Sequence, residues 1–127
     1  MIHGIGTDIV HVARLKAALE RHGDRFAARI LAEGDGERAG FGASRDPARF
    51  LAKRFAAKEA FGKALGTGVA VPATLHAVRV GHDELGKPVY LFDDGLAAYM
   101  RERGLTAHLS LSDEADYVVA FALIEKP

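Results

Sequence analysis

Asp46-Pro47-Ala48-Arg49-Phe50-Leu51-Ala52-Lys53-Arg54-Phe55-Ala56-Ala57-Lys58-Glu59-Ala60-Phe61-Gly62-Lys63-Ala64-Leu65-Gly66-Thr67-Gly68 reads as one long helix with both of its ends written into it. Asp46 is the N-cap, and Pro47 occupies the first helical position, where a missing N–H costs nothing. The run Gly66-Thr67-Gly68 stops the helix after about Leu65. Upstream, Val12, Leu15, Leu19, Phe26 and Ile30 lie within about 60° of one another at the helical angle of roughly 100° per residue. A second helical segment therefore precedes the first, broken or bent at Gly23, with Arg14, Arg21, Arg25 and Arg29 on its opposite face. Between the two, Glu33 to Asp46 holds Gly34, Gly36, Gly40 and Gly42 among polar residues, which predicts a connection without regular structure.

Outside these helices the period falls to two. Ile2 to Val10 opens with a strand or extended segment ending near Asp8. His76, Val78 and Val80 alternate with Ala77 and Arg79, and Glu84-Leu85-Gly86-Lys87 turns the chain into Pro88 to Phe92, a hairpin. Asp93 or Asp94 caps a helix from Gly95 to Arg103, closed by Gly104. Alternation returns in Ala107 to Ser112, and Asp113 to Asp116 turn the chain into an apolar strand from Tyr117 to Ile124. The fold class expected is α+β, a mainly antiparallel sheet packed with helices, in one domain spanning 1–127.

Composition narrows the function. The chain has 127 residues with 17 Lys+Arg against 17 Asp+Glu, so bulk positive charge does not hold it to nucleic acid or to anionic lipid. Cysteine is absent, which removes disulfides, thiolate metal sites and a Cys nucleophile. The first residues carry no signal-peptide pattern, and no apolar run approaches the roughly 20 residues of a membrane span. These features predict a cytoplasmic protein with neither a nucleic-acid nor a membrane partner.

The candidate chemistry is local. Gly4-Ile5-Gly6 and Gly62-Lys63 fail the phosphate-loop templates, because Ile9 and Ala57 stand where glycines are required. Glu59 and Lys63 lie one turn apart, the spacing of an ordinary surface pair, but they share a helix with Lys53 and Arg54 and adjoin a small-residue loop whose N–H groups could form an anion nest. Asp8 either caps the helix that follows it or, brought near Glu59, supplies hard oxygens for Mg²⁺. His108, Ser110 and Ser112 share one strand face without an acid to complete a triad. The other histidines lack zinc spacing. From Val12 to Ala32, five basic residues face two acidic ones, which describes either a solvated surface or a dock for an acidic helix.

Taken together, Gly4 to Val10, Phe50 to Ala60, Lys63 to Gly68, Gly86-Lys87-Pro88 and His108 to Ser112 followed by Tyr117 resemble the holo-acyl-carrier-protein synthase family of 4′-phosphopantetheinyl transferases along nearly the whole chain. The resemblance implies transfer of 4′-phosphopantetheine from coenzyme A to a serine of apo-acyl carrier protein, releasing adenosine 3′,5′-bisphosphate, in support of fatty acid biosynthesis. It implies that Asp8 and Glu59 hold Mg²⁺ on the pyrophosphate, that Lys63 stabilises the transferring phosphate, and that Glu59 also acts through a metal-bound water as general base. It assigns Lys58, Gly66, Thr67, Gly68, His108 and Ser110 to coenzyme binding, and Arg14, Arg21, Arg25 and Phe26 to the carrier protein. It further implies a homotrimer with active sites between subunits. Two departures stand out: His11, where the family usually has an acidic residue, and Ser112-Asp113, where it usually has Ser-His. The alternative is a coenzyme A or carrier-protein binding module without catalysis.

Overall fold

The computed structural model describes residues 1–127, in the order β1 (Ile2–His11), α1 (Val12–His22), α2 (Asp24–Ile30), α3 (Glu37–Ala43), α4 (Pro47–Leu65), β2 (Val78–His82), β3 (Pro88–Phe92), α5 (Asp94–Glu102), β4 (Thr106–Asp113) and β5 (Tyr117–Glu125). The local signals act as read: Asp46 accepts the Arg49 N–H at 3.2 Å, and the Gly66 N–H closes α4 onto the Gly62 carbonyl at 3.0 Å. Gly23, at φ 64°, separates α1 from α2, a backbone conformation that a side chain would resist. Asp93 caps α5 by accepting the Leu96 N–H at 2.8 Å.

Antiparallel strands form a three-stranded sheet in the order β1-β5-β4, with β2-β3 as a separate hairpin. β5 is central because its alternate residues Val118, Ala120, Ala122 and Ile124 are all fully buried under α4. β1 reaches the same helix through glycine. A Cβ on Gly4 would lie 2.0 Å from the Ala64 carbonyl oxygen, and one on Gly6 would lie 2.2 Å from that of Ala60. The Gly-x-Gly of β1 thus serves close strand–helix approach, which small residues alone permit. On the other side, Phe61 of α4 packs against Tyr90 and Phe92 of the hairpin at centroid distances of 5.1 and 5.3 Å.

Three boundaries differ from the sequence reading. The glycine-rich connection contains α3, because Glu37 is drawn into the core by Lys58 and Phe41 packs on Phe50 at 6.2 Å. Tertiary partners there outweigh a composition that disfavours helix. β1 runs on past Asp8 to His11, paired residue for residue with β5. β2 starts at Val78, while His76 bonds the Ala28 carbonyl at 2.8 Å.

Candidate active site

Gly4, Gly6 and Asp8 point to one side of β1, so the glycines that seat the strand on α4 also carry Asp8 to the helix. There Lys63 Nζ donates to the Thr7 carbonyl at 2.8 Å and to Asp8 Oδ1 at 3.3 Å. Lys63 is therefore tied across to β1, and the surface pair with Glu59 that the spacing suggested is not formed. Glu59 is held above the usual carboxylate range, first by burial and then by the negative charge of Asp8, with Lys63 opposing. Asp8 and Glu59 line one cleft of about 590 Å³ together with Arg14, Phe26, Ile30 and Leu75.

Two carboxylates that repel each other in a partly desolvated cleft are a donor set suited to a hard divalent cation. No cluster of three or more metal-ligating side chains exists in the chain. Such a cation would take its remaining ligands from water and phosphate, the usual coordination of Mg²⁺.

The basic face adjoins this cleft. Arg21, Arg25, Arg29, His22 and Phe26 line a neighbouring hollow of about 270 Å³, and Phe26 and Arg29 belong to both. Arg14 opens onto the carboxylate side.

Several expected site residues stand elsewhere. Lys58 is corrected outright: it is fully buried, and its ammonium donates to the carbonyls of Ile30 and Leu75 and to Glu37, so it is no part of a coenzyme-facing wall. Burial pushes its pKa down, with Glu37 opposing. The Gly66-Thr67-Gly68 loop is not an open anion nest either. The N–H groups of Gly66 and Gly68 both donate to the Gly62 carbonyl at 3.0 Å, and Thr67 Oγ1 donates to the Gly68 carbonyl at 2.9 Å. His108 and Ser110 line a separate hollow of about 410 Å³ with Lys87, Pro88 and Phe121, where His108 Nε2 lies 2.8 Å from Glu125 Oε1. One chain does not bring them to Asp8. His11 alternates with Asp8 onto the other strand face and stacks on Tyr117 at 4.8 Å, so its departure leaves the two carboxylates untouched.

The sequence reading missed a second cleft. Arg49, Lys53, Arg54, His82 and Asp113 surround a space of about 480 Å³ at the amino-terminal half of α4. Arg54 Nε is buried without a hydrogen-bond partner, and its guanidinium lies 4.1 Å from the centroid of Phe50. Burial lowers its pKa, and Glu37 opposes. An orphaned buried donor beside further cations marks a place for an anion. Asp113 already neutralises part of the rim, pairing with Arg49 and, at 2.8 Å, with Lys53. Burial alone would raise its pKa, but hydrogen bonds from Lys53 and Arg49 hold it below the usual range. The Arg49-x-x-x-Lys53 spacing was visible in the sequence; the contribution of His82 from the distant hairpin was not.

This fold and site have relatives. The profile of the 4′-phosphopantetheinyl transferase superfamily matches residues 4–122, and the chain belongs to that superfamily. A holo-[acyl-carrier-protein] synthase of Azoarcus sp. (strain BH72) is 75% identical over 125 residues, covering 98% of each chain. Among solved structures, holo-[acyl-carrier-protein] synthase from Neisseria meningitidis superposes with a TM-score of 0.93 at 44% identity, over 99% of this chain and 100% of that one. The Bacillus anthracis enzyme in complex with CoA (3′,5′-ADP) does so at 0.83 and 33% identity, over 100% of this chain and 99% of that one.

Proposed function

We infer that this chain transfers the 4′-phosphopantetheine group of coenzyme A to a serine of apo-acyl carrier protein. The observation that carries the reading is the meeting of Asp8 and Glu59 in one cleft that adjoins an arginine-rich helical surface, with Lys63 bonded to Asp8 at 3.3 Å. The serine oxygen attacks the phosphorus that bears the pantetheine arm and forms a new P–O bond. The bond from that phosphorus to the leaving phosphate oxygen breaks, and adenosine 3′,5′-bisphosphate departs with the electron pair. The serine proton passes to Glu59 by way of a water. Lys63, held beside Asp8, offers its ammonium to the oxygens that gain charge. Asp8 and Glu59 hold Mg²⁺, which when bound supplies charge neutralisation and orientation of the pyrophosphate.

The remaining surfaces divide between the substrates. Arg14, Arg21, Arg25 and Phe26 receive an acidic helix of the carrier, Arg forks meeting carboxylates around an aromatic anchor. Arg54 and its neighbours take phosphate from the nucleotide end of the coenzyme, a role supported by the unpartnered Nε. Ile5 and Ile9 on β1 and Phe121 on β5 leave an apolar sheet face exposed at 57%, 63% and 39%. That face supports self-association into a homotrimer with sites between subunits, which gives His108, Ser110 and the Gly66–Gly68 loop their place in coenzyme binding. The setting is one domain acting in the cytoplasm in support of fatty acid biosynthesis.

Intact-mass spectrometry of apo-acyl carrier protein incubated with this protein, coenzyme A and Mg²⁺ tests the reading. The expected result is a gain of about 340 Da, one phosphopantetheine arm, abolished by EDTA. Binding of carrier and coenzyme without mass gain would overturn it in favour of a binding module.

A further inference from the structure

Lys58 precedes Glu59 in the sequence, yet its side chain turns away from the cleft into the core. Its Nζ donates to the Ile30 carbonyl at 2.7 Å, to the Leu75 carbonyl at 2.7 Å and to Glu37 Oε1 at 2.6 Å, which uses all three donors of an ammonium. Glu37 is equally committed. Its Oε1 also accepts the Ala32 N–H at 2.9 Å, and its Oε2 accepts the Val80 N–H at 3.1 Å. Both side chains are 0% exposed. A buried pair of this kind is a weak source of net stability, because the cost of desolvating two charges offsets much of their attraction. What it does supply is fixed geometry.

The fixed objects are walls of the reaction cleft. Ile30 ends α2 and Leu75 lies in the segment before β2, and both line the cleft with Asp8 and Glu59. A single ammonium, one residue from Glu59 on the rigid helix α4, thus grips two wall residues by their backbone carbonyls. Glu37 ties the same point to Ala32, just beyond α2, and to β2.

We propose that Lys58 and Glu37 are positioning residues for the transfer, setting the width of the cleft between the Ile30–Leu75 wall and the Asp8–Glu59 carboxylates. The inference rests on the reading of that cleft as the reaction site. Small displacements of a reacting group are costly in rate, so loosening the wall lowers turnover without touching any group that meets substrate.

The test compares variants at a temperature where circular dichroism shows each to be folded. Lys58→Met removes the grip, and Met100→Ala creates a cavity at a buried residue of α5, away from the cleft, as a destabilised control. The expected result is a kcat at least about tenfold lower for Lys58→Met, with Met100→Ala near wild type. Glu37→Asp, which keeps the charge but withdraws it by one methylene, is expected to fall between them and serves if Lys58→Met does not fold. Equal kcat for these variants and Met100→Ala would overturn the positioning role. Asp8→Asn in the same assay separates the two ideas. Wild-type turnover there would remove the site itself, whereas an inactive Asp8→Asn beside a fully active Lys58→Met would remove only the grip.

Discussion

Asp8 and Glu59 are separated by fifty positions of intervening sequence and act as one unit because β1 lies against α4. Asp8→Asn and Glu59→Gln are each expected to lower kcat by at least about two orders of magnitude with unchanged melting temperature, since in the proposed function they hold the cation that neutralises the transferring phosphate. Steady-state kinetics beside thermal melts check this. Asp113 belongs to the same scale but to stability. Its native pKa is depressed by Lys53 and Arg49 against the opposing effect of burial, while the unfolded chain titrates near an ordinary value of about 3.9. The unfolded state therefore takes up protons first as pH falls. The contribution of Asp113 is complete above that ordinary value and is lost as pH drops through the lower native one. Thermal melts of Asp113→Asn should show a deficit at neutral pH that closes in strong acid.

Among the elements, the contact of β1 with α4 decides where chemistry sits. A methyl group at Gly6 would meet the Ala60 carbonyl, backbone that has no rotamer to yield. Gly6→Ala is expected to cost about 1–3 kcal/mol in urea unfolding and to lower kcat as well, because the strand that must shift carries Asp8 two residues on. A variant with lost stability but intact kcat would show that Asp8 is placed by something other than this contact. In the proposed function the α1–α2 unit has a different task. Charge reversal in Arg25→Glu is expected to raise the KM for carrier protein several-fold at low salt, an effect that fades as ionic strength rises. Its KM for coenzyme A should not change.

Across the whole molecule, the core runs from Val10 on β1 to Ile124 on β5, while the opposite face of the same sheet is left apolar and open. His108 and Ser110 lie at that side, remote from the carboxylate cleft. Phe121→Glu would place charge in the middle of the face and is expected to give monomers by light scattering where the wild-type protein forms the proposed trimer. Activity should fall with it if sites form between subunits. Monomeric wild-type protein would instead confine the whole reaction to one chain.

Much of this architecture was legible in local sequence. The caps at Asp46 and Asp93, the breaks at Gly23 and Gly66 and the two-residue alternation of the strands are short-range effects, each settled by a few neighbouring side chains and backbone groups. Asp8, Glu59 and Lys63 could be singled out because their motifs resemble a known family, and their neighbours on α4 could be placed by helical spacing alone. Long-range contact decided the rest. The Glu37–Lys58 pair made a helix inside a glycine-rich connection and took Lys58 out of the coenzyme's reach. The hairpin carried His82 to the basic cleft around Arg54. None of these partners is adjacent in the chain or spaced at a secondary-structure period, so no local pattern encodes them. A buried charge is satisfied by whatever acceptor the packed fold brings to it, and only the folded chain specifies which.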